Sequence, residues 1–512
     1  MAPIEHTLPG KTASSPEPSA APARPVRRKL RRPRILLVTP ELGESAFLSR
    51  RGNRAPCAKA GGLADVSALL LDTLSQEGLD VHVAMPNFRG MFHSDAGIPS
   101  RQLHLCQDRE FFYRRSVYDG SPEANLRAAM AFQRDVIHYI LPRLRPDIVH
   151  CHDWMTGLVP AAARAAGIPS LFTVHNLHDE RTTMSYIEEK GVDVPRFWQH
   201  LYFEQYPSSY ESMRDHGAVS LLGSGILAAD HMNTVSPSFL HELSAGGHGA
   251  VRPVADAVRG KIQAGRAAGI LNSIPARVRP SEDKYLAERY DEKTHVQGKR
   301  ANKLALQKML GLEEDADAPM LFWPSRLDPM QKGCQLLAEI LYRVVSDYWG
   351  LGLQVVFVAD GPFQPHFRRI AEFHGLQQRI AVHHFSEPVS RLGYAASDFT
   401  MMPSAYEPCG LSQMVALRYG SLPIVHGTGG LRDTVTHFDA ATSSGNGFVF
   451  ETHDANGLRW AIDQAIRFQI QPAADRQRQI TRIMAESARA FSPESMVAGY
   501  MGIYSKLLQL RA

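Results

Sequence analysis

The sequence predicts an α/β protein made of two doubly wound parallel sheets, and three observations lead to this prediction. Short apolar runs alternate with longer amphipathic stretches, which is typical of strand, helix, strand units. The alternation pauses near residue 280 and restarts near residue 320. Most apolar runs also end in polar, Gly or Pro residues, and open α/β sheets bind ligands at such strand ends. Two halves of this kind imply a ligand cleft between them.

The first predicted domain covers residues 34–280. Its expected elements, in chain order, are a strand at 35–38, a helix from about 63 to 77, a strand at 81–85, a helix near 135–144, a strand at 148–152, a helix at 158–166, a strand at 171–174 and a strand-like run at 232–235. The strands are apolar runs, and the helices carry apolar residues at three- and four-residue spacing. This domain is therefore predicted to be one parallel-sheet unit.

The second predicted domain covers residues 317–490. A linking segment at 281–316, rich in Glu, Asp, Lys and Arg, is expected before it. Its expected elements are a strand at 320–323, a helix over 336–345, and strands at 354–358, 380–384, 399–402 and 422–425. Residues 491–512 are predicted to form a C-terminal helix that can cross back to the first domain.

Residues 1–33 are predicted to be a disordered tail, because they are rich in Pro, Ala and Ser and offer too little apolar surface to fold alone. Residues 1–34 carry eight Lys or Arg against Glu5 and Glu17. The net charge of the chain is only +4, so the remainder is close to neutral. A solvated or surface-adhering tail is favoured over nucleic-acid binding.

The composition also bears on the cellular compartment. The five cysteines are scattered without a CxxC pair, which disfavours a disulfide framework and a thiolate zinc site. The chain shows neither the apolar core of a signal peptide nor about eighteen uninterrupted apolar residues, so secretion and membrane spanning are disfavoured. A cytoplasmic protein is expected.

The segment from Ala405 to Asp433 is predicted to hold a phosphate-bearing donor. Glu407 comes just before Pro408-Cys409-Gly410 and a run with helical periodicity, so its carboxylate is expected at a helix start. Free backbone N–H groups and the positive end of the helix dipole meet there, so a phosphate can be held beside a side chain that handles a neutral sugar. Thr428-Gly429-Gly430 supplies a further glycine turn.

The loop Ser325–Gly333 follows the first strand of the second half and carries two cations, Arg326 and Lys332, six positions apart. Such a pair suits a diphosphate, because the guanidinium binds phosphate oxygens bidentately and the ammonium acts as a movable point charge. Together they can stabilise a nucleotide diphosphate as it leaves. The alternative, a solvated loop, is disfavoured by the neighbouring Glu407 and glycine turn.

The stretch Cys57–Val66 puts Lys59 and the pair Gly61-Gly62 at a helix start after the first strand. The glycines let backbone approach a ligand without Cβ obstruction and Lys59 brings a mobile positive charge, which suits phosphate and a sugar. A tight turn with a surface lysine is the alternative. The stretch is not the GxGxxG fingerprint, so a hydride-transfer cofactor is disfavoured.

Polar residues end two strands of the first half, in His150-Cys151-His152-Asp153 and in His175-Asn176. The first group suggests a metal site, but alternate residues of a strand point to opposite faces, so Cys151 cannot join the two histidines and no metal is expected. Hydrogen bonding to sugar hydroxyls is favoured for Asp153. His175 can act through its ring or its backbone carbonyl, or be a structural histidine.

Seven stretches carry a family resemblance: KAGGLADV, HCHDW, TVHN, NTVSP, SRLDPMQKG, PSAYEPCGLSQMVALRYG and TGGLRDTV. As a set they resemble the bacterial glycogen synthase and plant starch synthase family, over roughly residues 34 to 435. The resemblance implies a GT-B fold, in which two Rossmann-like domains face each other across a cleft, the first on the acceptor side and the second on the nucleotide-sugar donor side. It also implies transfer of glucose from ADP-glucose to the non-reducing end of an α-1,4-glucan such as glycogen, with retention of configuration.

The same resemblance implies residue roles. The implied catalytic residues are Glu407, His175, Arg326 and Lys332, with the two cations on the diphosphate and Glu407 facing the glucose. The implied mechanism is a front-face displacement in which the departing phosphate takes the proton of the acceptor hydroxyl. No cofactor or divalent metal is implied, since ADP-glucose is a co-substrate and the cations replace the ion. The implied substrate-binding residues are Lys59, Gly62, Asp153, Asn176, Asn272, Cys409, Gly410, Leu411, Thr428 and Gly429.

Three departures from the family pattern indicate a divergent subgroup. Ala64 stands where the family motif KxGGLGDV has a glycine. The segment Asn272-Ser273-Ile274-Pro275 replaces NGID or NGVD, so the acidic residue is lost. Ser224-Gly225 replaces a lysine-glycine pair. These changes bear on acceptor handling and nucleotide preference more than on the reaction type.

Several alternatives stay open. The donor can be UDP-glucose, the acceptor can be a small sugar as in sucrose-forming or trehalose-forming relatives, or the chain can be an inactive glucan-binding relative. A glycosidase using Asp153 and Glu407 as paired carboxylates is disfavoured by the cations beside them. No nucleic acid and no membrane span are expected as partners.

Overall fold

The structure is a computed structural model of the chain and describes residues 32–49, 54–92, 100–247 and 252–510. The predicted tail at 1–33 therefore lies outside the described residues, except for Arg32 and Pro33. Within the described ranges no helix has the length and apolar character that crossing a bilayer requires.

The strands and helices of the described ranges follow in chain order. The strands are β1 Arg34–Val38, β2 Asp80–Pro86, β3 Leu103–Cys106, β4 Ile148–His152, β5 Ser170–Val174, β6 Arg181–Thr182, β7 Tyr202–Phe203, β8 Val219–Ser220, β9 His231–Thr234, β10 Ala267–Gly269, β11 Met320–Trp323, β12 Gln354–Val358, β13 Ile380–His383, β14 Phe399–Met402, β15 Leu422–His426 and β16 Phe448–Phe450. The helices are α1 Gly62–Gln76, α2 Arg109–Phe112, α3 Pro122–Asp135, α4 Leu141–Leu144, α5 Val159–Ala165, α6 Met184–Glu189, α7 Tyr210–Met213, α8 Leu221–Ala228, α9 Pro237–Ser244, α10 Arg252–Gln263, α11 His295–Leu310, α12 Cys334–Asp347, α13 Gln364–Phe373, α14 Glu387–Ala396, α15 Ser412–Arg418, α16 Gly429–Thr434, α17 Ala455–Gln469, α18 Ala473–Ala490 and α19 Pro493–Gln509.

Two all-parallel sheets organise the chain. The parallel sheet of the N-terminal lobe, which runs from β1 to β10, contains seven strands in the order β10-β9-β5-β4-β1-β2-β3, and that of the C-terminal lobe, from α11 to α18, contains six in the order β13-β12-β11-β14-β15-β16. The other three strands of the N-terminal lobe form a small antiparallel sheet in the order β6-β8-β7. In each sheet the first strand of the lobe lies in the interior, as where Ile35 of β1 pairs with both Val81 of β2 and Ile148 of β4. This is doubly wound topology, so the predicted fold class is confirmed.

The strands predicted from apolar runs are buried on both faces, as parallel strands between helix layers must be. All five residues of β4 and all five of β12 are buried. The short strands β3 and β10 have no comparable run and were not expected. The helix expected near 135–144 begins earlier, at Pro122, where the Ser121 side chain accepts a hydrogen bond from Ala124 N and caps the helix.

The stretch predicted as a link, 281–316, contains α11, which packs against α14 of the C-terminal lobe. The buried Lys299 Nζ donates hydrogen bonds to three backbone carbonyl oxygens, those of Ala395, Ser397 and Tyr419. Part of this charged stretch is therefore integral to the C-terminal lobe.

The last helix, α19, leaves the C-terminal lobe and packs against α1 and β4 of the N-terminal lobe. Tyr504 OH lies 2.8 Å from His150 Nδ1, and Asn233 Nδ2 donates to Tyr500 OH at 3.3 Å. Both tyrosines are buried. One contiguous cluster of buried apolar side chains runs through both sheets and α19.

Candidate active site

The C-terminal lobe brings an anion and a cation together at the ends of its two central strands. Lys332 follows β11 and Glu407 follows the adjacent β14, and their side chains form an ion pair with Nζ 2.5 Å from Oε2. Ser404 Oγ donates to the same Oε2 at 3.1 Å. Both charged side chains are nearly buried, so each has its partner at a position where an unpaired charge would be destabilising.

Backbone contacts fix the two loops that carry this pair. Ala405 N donates to Gln331 O at 2.8 Å, which ties the loop after β14 to the loop after β11. Gly333, at φ +69°, starts α12 beside Pro403, and a Cβ atom on it would lie 2.1 Å from Pro403 O. A side chain at this position is excluded, so the close approach of the two loops depends on the glycine.

The glycine turn Thr428-Gly429-Gly430 lies against the Glu407 loop. Gly430 N donates to Glu407 O at 3.0 Å. A Cβ atom on Gly429 would lie 2.1 Å from Glu407 O, and one on Gly430 would lie 2.3 Å from Cys409 O. The structure thus brings Glu407, Cys409, Thr428 and Gly429 together, as neighbours of Lys332.

Beside this turn, two helices from opposite lobes each place a carboxylate against the start of the other helix. Glu242 of α9 accepts hydrogen bonds from Gly429 N at 2.7 Å and from Thr428 Oγ1 at 3.3 Å. In return, Asp433 of α16 accepts from Ser238 N at 2.8 Å and from Ser238 Oγ at 2.7 Å. Each carboxylate lies at the start of the other helix, where free N–H groups attract negative charge.

The N-terminal wall is built on the loop between β1 and α1. Glu41, buried, accepts hydrogen bonds from Ala60 N at 2.7 Å, Gly61 N at 2.9 Å and Tyr118 OH at 3.2 Å. Burial raises the pKa of Glu41, although the hydrogen bonds oppose the shift. Lys59, on the same loop, is exposed and pairs with Asp65 at 2.7 Å. The loop is thus rigidly held while its lysine stays accessible.

Asp153 joins the ends of β4 and β5. Its Oδ1 accepts from His175 N at 2.6 Å and its Oδ2 from Asn176 Nδ2 at 3.0 Å. Burial raises the pKa of Asp153 to about 7, against the lowering effect of these hydrogen bonds. Asp153 also adopts φ +58°, which costs free energy in a residue other than glycine and is often found at functional sites.

Three histidines stack beside Asp153 at these strand ends. The rings of His150 and His152 have centroids 4.2 Å apart, and His152 Nδ1 lies 2.9 Å from His175 Nε2. Burial lowers the pKa of His152 to about 3 and those of the other two well below the usual value. In the part of the chain that the structure describes, no group of three or more His, Cys, Asp or Glu is arranged to hold a metal.

The Glu407 loop touches the N-terminal lobe at three points. Ser236 Oγ donates to Pro408 O at 2.7 Å. A Cβ atom on Gly62 would lie 3.3 Å from Leu411 Cδ1, which is a tight contact. The backbone of Asn272 hydrogen-bonds the buried Cys409 thiol, whose pKa burial raises to about 12. The structure therefore places Gly62 and Asn272 of the N-terminal lobe beside Leu411 and Cys409 of the C-terminal lobe.

Arg326 is the predicted residue that the structure leaves apart. It lies at the carboxyl end of β11, but its side chain is exposed and has no hydrogen bond or ion pair among the described residues. Asn176 is exposed at the opposite wall. A cavity of about 770 Å³ elsewhere on the N-terminal lobe, lined by residues such as Ile137 and Phe197, contains none of the predicted site residues.

Known proteins match both lobes of the chain. A model of the starch synthase catalytic domain matches residues 34–252, and one of glycosyl transferases group 1 matches residues 318–467. A glycogen synthase of Exiguobacterium sibiricum is 35% identical over 459 residues, covering 80% of this chain and 89% of that protein. A glycogen synthase of Cellvibrio japonicus is 32% identical over 493 residues, covering 88% and 97%. The chain belongs to the glycogen synthase and starch synthase family.

Solved structures agree with this family membership. The catalytic domain of starch synthase IV from Arabidopsis thaliana, solved with ADP and acarbose bound, is 26% identical, with a TM-score of 0.77 over 93% of this chain and 99% of that one. A sucrose-phosphate synthase from Thermosynechococcus elongatus, 19% identical, has a TM-score of 0.58 over 93% and 100% and shares the fold alone. The fold is GT-B, as predicted, and the chain is a retaining hexosyltransferase of this family.

The three departures from the family pattern occupy packed positions. Ser224 is buried in α8, where its Oγ donates to Ser220 O at 2.6 Å. Ala64 is fully buried in α1, so its methyl group packs inside the lobe. In the third segment Asn272 is retained and buried, its Oδ1 has no hydrogen-bond partner among the described residues, and the altered residues begin with the buried Ser273. This segment lies beside Cys409, because the backbone of Asn272 contacts that thiol.

Sequence reasoning on this family member missed several residues that shape the site. Glu41, Tyr118, Glu242 and Asp433 were not singled out as site residues, and His152 was considered only as a metal ligand. Signals existed for two of the five, since Glu41 follows the apolar run of β1 as Asp153 follows that of β4, and His152 belongs to the polar end of β4. The other three act through partners distant in sequence, for which no local spacing gives a signal.

Proposed function

We propose that this chain is a glycogen synthase that transfers glucose from ADP-glucose to the non-reducing end of an α-1,4-glucan, with retention of configuration. One observation carries the proposal: the Lys332 and Glu407 ion pair at the ends of β11 and β14, beside Thr428 and Gly429 and opposite Gly62. A cation for a phosphate and a carboxylate for a sugar thus lie 2.5 Å apart at the switch point of the donor-side sheet.

In this proposal Lys332 and Arg326 stabilise the diphosphate as it departs. Lys332 is already fixed by Glu407, so its charge requires little reorganisation. Arg326, exposed at the mouth of the same strand end, can close onto the outer phosphate oxygens. Two cations supply the charge that a divalent metal would supply, so no metal and no further cofactor are required.

Glu407 holds and orients the transferred glucose in this proposal. The bond from glucose C1 to the phosphate oxygen breaks on the face where the acceptor 4-hydroxyl oxygen forms the new bond to C1. The departing phosphate oxygen takes the hydroxyl proton, so ADP leaves carrying it. A front-face step retains the α configuration without a covalent sugar ester, and Glu407 acts by stabilising the developing positive charge on the ring.

The remaining predicted residues are proposed to hold the donor sugar, the diphosphate and the acceptor. Asp153 fixes the backbone of His175 and the side chain of Asn176, so these two groups face the cleft in a defined position. From the C-terminal lobe the proposed contacts come from the Glu407 loop and the glycine turn, namely Cys409, Gly410, Leu411, Thr428 and Gly429. From the N-terminal lobe they come from Lys59, which is proposed to lie near the donor phosphate and glucose, and from Gly62 and Asn272.

ADP-glucose is the proposed donor because the Arabidopsis starch synthase IV domain, the solved relative described above, was solved with ADP bound. The glucan acceptor follows from the relatives that carry the name glycogen synthase. The five thiols are all free, which fits the proposed cytoplasmic location, a reducing compartment.

The test is an assay of the purified full chain with glycogen and either ADP-glucose or UDP-glucose, with and without a metal chelator. We expect ADP release matched by lengthening of glucan chains, faster than with UDP-glucose and unaffected by the chelator. Faster transfer from UDP-glucose would overturn the donor assignment. Binding of glycogen without chain lengthening from either donor would overturn the synthase proposal.

A further inference from the structure

The N-terminal sheet contains two histidine pairs in which Nδ1 of one ring contacts Nε2 of the other. His152 Nδ1 lies 2.9 Å from His175 Nε2, and His82 Nδ1 lies 3.1 Å from His104 Nε2. The ring centroids are 5.2 Å apart in both pairs. The first pair lies at the carboxyl ends of β4 and β5, and the second joins β2 to β3.

All four rings are neutral at neutral pH. Burial lowers the pKa of His82, lowers that of His104 to about 4 and that of His152 to about 3, and lowers that of His175 well below the usual value. A neutral imidazole has one N–H and one lone pair. Within each pair, therefore, one ring donates and the other accepts. The direction is decided by a third partner, which is the group next to the remaining ring nitrogen, Nε2, of His82 or of His152.

In the His82 pair the third partner is a carboxylate. His82 Nε2 lies 3.2 Å from Asp80 Oδ1, which only accepts hydrogen bonds when ionised. The proton of His82 is therefore on Nε2, and its Nδ1 accepts from His104 Nε2. Donation runs from His104 to His82.

In the His152 pair the third partner is absent among the described residues, since His152 Nε2 is buried there without a hydrogen-bond partner. A buried N–H group without an acceptor costs more than a buried lone pair without a donor. The proton of His152 is therefore on Nδ1, and it donates to His175 Nε2. His175 must then carry its own proton on Nδ1.

The neighbouring ring keeps His152 in this orientation. His150 stacks on it at 4.2 Å and uses both of its own nitrogens, with Nε2 2.6 Å from Thr173 Oγ1 and Nδ1 2.8 Å from Tyr504 OH. Thr173 Oγ1 donates to Asn233 Oδ1, so it accepts from His150 Nε2. Both nitrogens of His150 therefore already have hydrogen-bond partners, so His150 cannot accept a hydrogen bond from His152.

The other nitrogen of His175 is available to a ligand. Its Nδ1 makes no hydrogen bond to any described residue, the residue is half-buried, and it follows β5 at the edge that faces the C-terminal lobe. We propose that His152 is a positioning residue that fixes the Nδ1–H tautomer of His175, so that His175 donates a hydrogen bond from its ring to a hydroxyl oxygen of the bound sugar. The role for the sugar rests on the proposed function, whereas the tautomer does not.

The tautomer is tested by nitrogen NMR on the full chain with ¹⁵N-labelled histidine at neutral pH. We expect His175 to show a protonated Nδ1 and an unprotonated Nε2, with assignment by the loss of these signals in His175→Gln. The His82 pair serves as the internal reference, with protonated Nε2 on both of its rings. A protonated Nε2 on His175 would overturn the proposal whatever the enzyme does.

The functional consequence is tested with two amides at position 152. The amide nitrogen of Asn is bonded to Cγ, as Nδ1 is, whereas that of Gln lies one bond farther along, as Nε2 does. We expect His152→Asn to keep kcat for glucose transfer within about threefold of wild type and His152→Gln to lower it about tenfold or more, with the KM of the donor little changed. Equal kcat values for the two folded variants would overturn the positioning role.

The control is the same pair of substitutions at His82, which is not placed in the binding or catalytic machinery. His82→Asn and His82→Gln are expected to leave kcat unchanged, and thermal unfolding checks that all four variants fold. If the wild type transfers glucose from neither donor, the proposed function fails, while the NMR measurement still decides the tautomer.

Discussion

Each lobe carries a lysine on the loop after its first strand, and each lysine is paired with a carboxylate, but the two pairs lie in different surroundings. Lys59 pairs with Asp65 at 2.7 Å, with 56% and 35% of the side chains exposed. Lys332 pairs with Glu407 at 2.5 Å, with 11% and 10% exposed. The same topology thus produces one solvated pair and one nearly buried pair.

The difference in exposure shows that the two lysines are suited to different tasks. An exposed pair contributes about 0–1 kcal/mol, so Lys59 is free to leave Asp65 for a ligand. Removing one partner of a buried pair costs about 3–5 kcal/mol, because the other charge is left unpaired. Lys332 is therefore preorganised, whereas Lys59 is adaptable.

The largest expected effect comes from breaking the buried pair. Glu407→Ala and Lys332→Ala should each lower kcat about 100-fold or more, since each removes a charge placed for the transition state. Each should also lower the free energy of unfolding by about 3–5 kcal/mol. Steady-state kinetics with glycogen and urea unfolding measure both quantities.

The double variant Lys332→Met with Glu407→Gln separates the two effects. Because no unpaired charge remains, its free energy of unfolding should recover relative to the single variants, while kcat should stay low. Near-normal kcat in any of these folded variants would contradict the roles assigned to the pair.

The next largest effect concerns Asp153, a buried carboxylate that lacks the cation partner of Glu407. Its pKa is raised from 3.8 to about 7. Between these values the folded state binds more protons than the unfolded state, so this residue's stabilising effect is fully present below pH 3.8 and is lost as the pH rises through about 7.

The measurement compares wild type with Asp153→Asn in urea at several pH values. From about pH 4 to 7.5 the wild type should lose roughly 3 kcal/mol of unfolding free energy relative to the variant. Parallel pH profiles for the two proteins would show that Asp153 keeps an ordinary pKa and that its hydrogen bonds from His175 and Asn176 outweigh burial.

Lys59→Ala should have a smaller effect that is confined to ligand binding. We expect kcat/KM for the donor to fall about tenfold, through KM, with the free energy of unfolding changed by less than about 0.5 kcal/mol. The matched control is Asp65→Asn, which frees the lysine and should leave both quantities near wild type. A loss of stability comparable to that of Lys332→Ala would remove the contrast between the two lysines.

The smallest effect is expected at the contact between the lobes. Gly62→Ala adds a methyl group whose carbon would lie 3.3 Å from its nearest neighbour, Leu411 Cδ1. We expect kcat/KM to fall about twofold to fivefold, because closure of the cleft is slightly obstructed. Adding Leu411→Ala should restore part of the loss, and an additive further loss would speak against a shared contact.

The fold was predictable because most strands of its two parallel sheets contain apolar runs. The strands predicted at 148–152 and 354–358 coincide with β4 and β12. Parallel strands that are buried on both faces are mostly apolar, which makes them visible in the sequence. Helix α11 was missed because its buried face carries Gly298, Lys299 and Asn302 instead of an apolar stripe. Such a helix is stabilised by carbonyl partners that the local sequence does not contain.

The candidate site was predictable where each residue acts from a strand end. Lys332 and Glu407 lie on the loops that follow the adjacent strands β11 and β14, so the topology brings them to the same edge of the sheet. Glu242 and Asp433 were missed because the two residues lie on helices of different lobes, and their hydrogen bonds join positions almost 200 residues apart, such as Ser238 and Asp433 at a separation of 195. The tautomer of His175 depends on the lack of a hydrogen-bond partner for His152 Nε2 among the described residues, which no sequence pattern records.

The return of α19 to the N-terminal lobe has a consequence for how the protein is made. Tyr504 reaches His150 across 354 positions, and Tyr500 reaches Asn233 across 267. During synthesis on the ribosome the N-terminal sheet emerges long before these tyrosines, so His150 and Asn233 remain uncovered until α19 has been made. The N-terminal lobe therefore receives its last packing contacts only after the whole C-terminal lobe has been synthesised.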